Sequence, residues 1–127
     1  MKPNPVVWFE IYVQDMPRSK AFYEKVLGGT LSKLDSPDAD LEMWAFPMAQ
    51  DQSAPGAGGA LAKMKGVPSG ANSTMVYFGC DDCAVEAGRV VQSGGQVMKE
   101  KFSIGPYGFI AIAADPEGNV FGLHSMK

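Results

Sequence analysis

The length, composition and charge of this chain describe an ordinary globular domain and exclude several classes of partner. Its 127 residues are 46% hydrophobic and 20% charged, which predicts one domain, spanning the whole chain, that buries a core without disulfides. The formal net charge of −3 argues against nucleic-acid binding, which needs a basic surface. The N-terminal segment has no long apolar run before Glu10, so we expect no signal peptide, no membrane span and a cytoplasmic location.

The first half of the chain predicts a strand, a helix and three more strands. Alternation from Val7 to Val13 is typical of a strand. Asp15 is a preferred N-cap of the helix, and Gly28 supplies a left-handed C-cap. Within the helix, Phe22 and Val26 are predicted to form the buried stripe. The strand candidates that follow are 30–34, 41–46 and 59–63.

The second half repeats this order of elements. Asp81 precedes Gly94 by the interval at which Asp15 precedes Gly28. We therefore predict a second helix between strand 75–78 and three later strands, which are 96–101, 109–114 and 120–125. The predicted fold is α+β, with two βαβββ modules whose mixed sheets curve around a shared cup and whose helices lie outside. Module one spans about 5–64, the linker 65–73 and module two 74–127.

The two faces of the predicted strands differ in polarity. On the first strand, the alternate apolar residues from Val7 to Val13 predict a face covered by the helix. The opposite faces carry polar and aromatic side chains that helix packing does not require. Apolar walls with a few converging polar groups are typical of a small-molecule pocket. The predicted wall residues on these strands are Trp8, Glu10, Tyr12, Met75, Tyr77 and His124.

Two motifs in this arrangement resemble a known superfamily. They are DMPRSKAFYEKVLG, from Asp15 to Gly28, and DPEGN, from Asp115 to Asn119. Together with the doubled βαβββ order, they resemble the vicinal oxygen chelate superfamily, which includes glyoxalase I, bleomycin-resistance proteins and extradiol dioxygenases. The resemblance covers essentially the whole chain. It implies the predicted fold and a homodimer, while the superfamily's several chemistries leave open whether this chain is an enzyme.

The resemblance also implies where metal ligands would lie. Those positions hold Trp8, the segment 53–62, Met75 (or Thr74) and Gly122, and the segment contains no His, Asp, Glu or Cys. We therefore predict no metal and no other cofactor. The alternative is a divalent metal held two residues further along the strands, by Glu10 and His124.

His124 is the chain's single histidine, and three roles are open to it. The first is ligand contact in the pocket. The second is acid/base catalysis with Glu10, since imidazoles commonly titrate near neutral pH. The third is metal ligation. The segment from Phe102 to Phe109 has two readings: a flap that stacks Phe102 and Tyr107 on a planar ligand, or a glycine-containing hairpin turn.

Two cysteines, Cys80 and Cys83, flank two aspartates. These carboxylates are expected to raise the thiol pKa values, which disfavours redox chemistry and favours a packing role. The sequence thus predicts a small-molecule-binding protein of the glyoxalase/bleomycin-resistance type without the usual metal ligands. The alternative is a lyase or dioxygenase-like enzyme with a nonstandard site on Glu10 and His124. The ligand, the pathway and the placement of the pocket within one chain or across a dimer stay open.

Overall fold

A computed structural model describes residues 1–71 and 73–127. Asn72, in the predicted linker, lies outside the described residues. The chain forms two compact units, one of Trp8–Thr74 and the other of Met1–Val7 with Met75–Lys127. The elements of the first half are β1 (Val6–Tyr12), α1 (Met16–Leu27), β2 (Ser32–Leu34), β3 (Leu41–Ala45) and β4 (Gly58–Met64). Those of the second half are β5 (Thr74–Gly79), α2 (Cys83–Ala87), β6 (Gln96–Ser103), β7 (Phe109–Ala114) and β8 (Val120–Ser125), with 3-10 turns at Val91–Ser93 and Gly105–Tyr107.

Each unit contains a mixed set of strands with a helix on one face. In Trp8–Thr74 the strand order is β2-β3-β4-β1, in which β1 runs parallel to β4 and the other pairs are antiparallel. In the other unit the order is β5-β8-β7-β6, in which β5 runs parallel to β8 and the remaining pairs are antiparallel. The α+β class is therefore confirmed. The shared cup stays a prediction.

Helix α1 begins and ends where its sequence signals predict. The Asp15 carboxylate accepts a hydrogen bond from Arg18 N at 3.0 Å, and Gly28 adopts the left-handed conformation at φ 75°. Between the helix and the sheet lies a core whose buried members are Val13, Met16, Leu31 and Leu61. Ile11 packs against this core, and Phe9 contacts Phe46. The central part of the predicted apolar face of β1 therefore faces the core, as predicted.

The predicted inner stripe of α1 is wrong. Phe22 and Val26 are 57% and 62% exposed, and Tyr23 packs against the core instead. The Nζ of Lys20 lies 3.5 Å from the centre of the Trp44 ring. Lysine can thus cover an aromatic side chain in a position where an apolar residue would be expected. Val7, predicted to lie beneath the helix, is 44% exposed.

The second helix is shorter than predicted and begins one residue later. Its N-cap is Asp82, whose carboxylate accepts from Ala84 N at 3.0 Å. Asp81 is wrong as the cap and instead pairs with Lys2 at 3.2 Å. The segment up to Gly94 is not one helix but α2 followed by a 3-10 turn. Cys83 and Ala87 of α2 pack against the sheet with Ala111 and Leu123.

The longest helix, α1, has 12 residues. Among residues 1–71 and 73–127, none of the helices combines the length and apolar character required to cross a membrane.

Candidate ligand-binding site

Three side chains on β1 form a hydrogen-bonded group, the Glu10 cluster, which consists of Trp8, Glu10 and Tyr12. Trp8 Nε1 donates to Glu10 Oε2 at 3.1 Å, and the Tyr12 hydroxyl donates to Glu10 Oε1 at 2.7 Å. Glu10 is buried, with 6% of its surface exposed. Because residues two apart on a strand share a face, the cluster lies opposite the face that packs on α1. The result is a carboxylate whose two oxygens are both held by neutral donors.

Small residues of β4 make room for the cluster. Ala60 and Ala62 are fully buried and form an apolar group with Met43, against which the two aromatic rings of the cluster pack. Gly58 lies opposite Trp8 in the parallel register, and a Cβ there would lie 3.3 Å from the indole ring. The apolar floor that Ala60, Ala62 and Met43 form was not predicted, although small residues at 58, 60 and 62 are a signal for bulky neighbours on the same face.

The environment of Tyr12 favours its protonated form. Burial is the largest cause that raises the pKa of Tyr12, and the adjacent Glu10 carboxylate raises it further through charge repulsion and the hydrogen bond. Tyr12 therefore keeps its proton well above neutral pH and acts as a hydrogen-bond donor. The hydroxyl oxygen that carries this proton lies 2.7 Å from a carboxylate oxygen of Glu10.

A second tryptophan–glutamate pair lies on β3 and provides a natural comparison. Trp44 Nε1 donates to Glu42 Oε2 at 3.2 Å. Trp44 packs on the helix side with the core of α1, away from the floor of the Glu10 cluster. The chain thus contains two tryptophan–glutamate bonds between residues two positions apart, with the order of the two residues reversed, in two different environments.

In the other unit, Tyr77 fills the space above Gly122. The two residues are opposite each other in the parallel register of β5 and β8, and a Cβ at position 122 would collide with the Tyr77 ring. Tyr77 is buried and Met75 is half-buried. Any larger residue at position 122 would therefore require the Tyr77 ring to move.

His124 is hydrogen-bonded to the turn that joins β6 and β7. Its Nε2 donates to the Tyr107 carbonyl oxygen at 2.6 Å. Since a carbonyl only accepts, Nε2 carries the proton in this bond, and Nδ1 is the acceptor in the neutral ring. Gly108 allows the turn to come this close, because a Cβ there would lie 2.5 Å from the Ser125 carbonyl oxygen.

The β-strand register brings two of the predicted residues to one row of the sheet. Phe102 is opposite Ile110, and Ile110 is opposite His124. Lys99 Nζ lies 3.9 Å from the centre of the Phe102 ring. Tyr107 is 39% exposed in a short turn, so this segment has the form of a hairpin connection, and ligand stacking on Phe102 and Tyr107 stays a prediction. Glu10 and His124 belong to different units, and their meeting in one pocket stays a prediction as well.

The residues present do not fit the standard metal centre that the resemblance implies. The Trp8 indole is engaged with Glu10, and Gly122 lies beneath Tyr77. Within the described part of the chain, no three side chains of the His, Cys, Asp or Glu type are placed to share one ion. The absence of a cofactor remains a prediction that metal analysis checks.

The two cysteines are free thiols. Burial raises the pKa of Cys80 to about 12, with further contributions from a hydrogen bond to Glu86 and its charge. The predicted direction is therefore right for Cys80, but the intervening aspartates are not its cause. Cys83 is completely buried in the core beneath α2.

The chain is similar in sequence to one protein family and to two curated proteins. A model of the "Glyoxalase/Bleomycin resistance protein/Dioxygenase superfamily" matches residues 6–123. Proteins named "Putative glyoxylase CFP32" from Mycobacterium tuberculosis and Mycobacterium bovis are 32% identical over 119 residues, which cover 93% of this chain and 42% of each relative. The chain thus spans less than half the length of these relatives.

The fold also resembles solved structures. Methylmalonyl-CoA epimerase from Mycobacterium tuberculosis superposes with a TM-score of 0.70 at 14% identity, covering 100% of this chain and 93% of the epimerase. At this identity the likeness supports the fold alone.

Proposed function

Because the chain belongs to the glyoxalase/bleomycin resistance protein/dioxygenase superfamily, we propose that it is a small-molecule-binding protein that works without the family's usual metal ligands. The Glu10 cluster is the recognition element of this proposal. Its acidic and aromatic character suits a ligand that is planar or partly cationic and that donates a hydrogen bond.

The supporting observation is a buried carboxylate on an otherwise apolar face. Burying a carboxylate is costly unless donors satisfy it, and Trp8 and Tyr12 supply two. A face needed only for packing would be more stable with an apolar residue at this position. The arrangement therefore favours a pre-organised polar group that a ligand recognises.

The test uses tryptophan fluorescence and thermal stability together. The chain has two tryptophans, so a Trp44→Phe variant makes Trp8 the single emitter. A library of cationic and planar compounds is screened with this variant and with wild type. A ligand at a hundred times its dissociation constant stabilises the protein by about 2.7 kcal/mol, a shift in Tm of roughly 10 °C for a domain of this size.

Glu10→Gln and Glu42→Gln are the matched variants for the screen. We expect Glu10→Gln to abolish both the Trp8 signal and the shift in Tm, and Glu42→Gln to preserve both. A hit that binds equally well to both variants contradicts a recognition role for Glu10. Metal analysis of the purified protein completes the test, because a stoichiometric divalent ion that is lost in His124→Ala would overturn the metal-free proposal.

One observation favours the enzymatic alternative, a lyase or dioxygenase-like activity with Glu10 and His124 in acid/base roles. The His124 ring is held by its Nε2 bond, which leaves Nδ1 as the position for proton transfer. Proton NMR of the ligand found by the screen separates the two functions. A binding protein returns the ligand unchanged, whereas an enzyme converts it in the wild type and fails to convert it in Glu10→Gln.

A further inference from the structure

A cavity of about 560 Å³ lies within the unit Trp8–Thr74, and its lining includes Tyr12 of the Glu10 cluster. Its walls are the end of β1, the first two turns of α1 and the residues Ser69, Gly70, Ser73 and Thr74. Ile11 and Val13, from the helix-covered face of β1, contribute to the lining. Volumes of this size accommodate small organic molecules.

The lining of this cavity is cationic in a chain whose net charge is −3. Arg18 is the charged residue of the lining, which includes no Asp or Glu among the described residues. The chain has two arginines, and they differ in their partners. Arg89 lies 3.9 Å from Glu86, whereas the Arg18 guanidinium has no ion pair within the described part of the chain. An unpaired guanidinium at a cavity favours carboxylate or phosphate groups, whose geometry matches its planar set of donors.

The remaining walls suit a ligand with an apolar body and a polar head. Phe22 and Tyr23 line the cavity with edge-to-face rings whose centres are 5.1 Å apart, and the 57% exposure of Phe22 leaves its ring available. The polar residues Ser73 and Thr74 also line the cavity.

Hydrogen bonds hold the polar wall in place. Gln14 Nε2 donates to the Val67 carbonyl at 2.9 Å and to Ser69 Oγ at 3.1 Å, and Ser69 Oγ donates to the Tyr12 carbonyl at 2.9 Å. The segment is thereby tied to β1, so little ordering entropy is lost when a ligand binds. We propose that this cavity binds a small organic anion, with a carboxylate or phosphate head at Arg18 and an aromatic body against Phe22.

The test is a titration with phenyl phosphate and with benzoate, followed by amide chemical shifts in labelled protein, with benzyl alcohol as the neutral probe. We expect saturable shifts at Ser69, Gly70 and Thr74 with the anions and none with the alcohol. Arg18→Gln should weaken binding about tenfold or more. Arg89→Gln and Glu42→Gln should leave the affinity within about twofold. Arg18→Gln should leave the Trp8 fluorescence response of the proposed function unchanged, which separates the two sites.

Three outcomes would overturn the proposal. The first is no saturable shift with either anion at about 10 mM. The second is equal weakening by Arg18→Gln and Arg89→Gln, which indicates non-specific attraction of anions. The third is a set of shifts at these amides that depends on protein concentration alone, which assigns the surface to contact between two copies of the chain.

Discussion

Replacing Tyr12 with phenylalanine tests whether the Glu10 carboxylate is held as the structure describes. The substitution removes the donor 2.7 Å from Oε1 while Glu10 stays 6% exposed. Hydrogen bonds to charged groups contribute about 1.5–3 kcal/mol, so we expect the free energy of unfolding at pH 7 to fall by about 2 kcal/mol. Tyr23→Phe is the control, because that hydroxyl has no hydrogen-bond partner among the described residues, and its loss should cost less than about 0.5 kcal/mol.

The same variant has a distinct dependence on alkaline pH. The pKa of Tyr12 is raised by folding, so the unfolded chain loses this proton first and the contribution of Tyr12 to stability is lost as pH rises above 10. Between pH 9 and pH 11 the wild type should lose about 1.4 kcal/mol that Tyr12→Phe does not lose. Urea unfolding followed by circular dichroism measures both quantities. A pH-independent difference between the two proteins, or a difference near zero at pH 7, would refute the hydrogen-bonded cluster.

Three further predictions concern other parts of the chain. Because the pKa of Cys80 is raised to about 12 from 9.0, its thiolate fraction at pH 8 is about a thousandfold below that of a free thiol. We expect negligible labelling by iodoacetamide, measured as the intact mass of the protein. Labelling at the rate of a cysteine peptide would contradict this prediction. Gly108→Ala should lower the free energy of unfolding by about 2 kcal/mol or more, since φ is 102° and the new Cβ would approach the Ser125 carbonyl. Gly105→Ala is the matched control, because φ is 71° there and the space around it is open. It should lower the free energy of unfolding by about 1 kcal/mol in the same urea assay. The pKa of Asp115 is lowered mainly by its hydrogen bonds from Asn119, so its contribution is present above pH 4 and is lost as pH falls through the folded-state pKa. Asp115→Asn should lower the urea midpoint at pH 7, and this effect should shrink as the pH is lowered. An effect that does not change with pH would exclude the carboxylate as the cause.

Local signals in the sequence determine most of the strands and the ends of α1. The final two strands, 109–114 and 120–125, match their predicted ranges, because each is a short run bounded by turn residues. The Asp15 cap and the Gly28 stop also depend only on neighbouring backbone groups. Asp81 and Asp82 are both competent caps by residue type. The carboxylate of Asp82 lies 2.8 Å from Lys101 Nζ, a contact with a distant segment that the local sequence does not indicate.

Contacts between distant segments account for the parts that were predicted wrongly. Phe22 and Tyr23 are adjacent aromatic residues, so α1 directs one toward the sheet, and the register of the sheet beneath it selects Tyr23. Alternation predicts that Trp8, Glu10 and Tyr12 share a face, but the two bonds to Glu10 depend on side-chain rotamers that Ala60 and Ala62 permit. The bond from His124 to Tyr107 requires a turn 17 residues away to fold against β8, which no local pattern indicates.

His124 shows how a structural role and a binding role are separated experimentally. Its Nε2 bond to the Tyr107 carbonyl holds the turn at 105–107, and this bond persists when the second nitrogen is protonated, since both nitrogens then donate. His124→Ala should therefore destabilise by about 1 kcal/mol and should speed amide exchange at Gly108. His124→Gln, whose amide is also a donor, should restore most of the protection.

The affinity of these variants for a ligand found in the fluorescence screen then shows whether Nδ1 of His124 contacts that ligand. If Nδ1 contacts the ligand, His124→Gln weakens binding while the turn stays protected from exchange, because glutamine replaces the structural bond and not the ring. If His124 only holds the turn, affinity follows exchange protection, and alanine alone weakens binding. Unchanged exchange and affinity in both variants would remove His124 from both roles and leave the Glu10 cluster as the candidate recognition element.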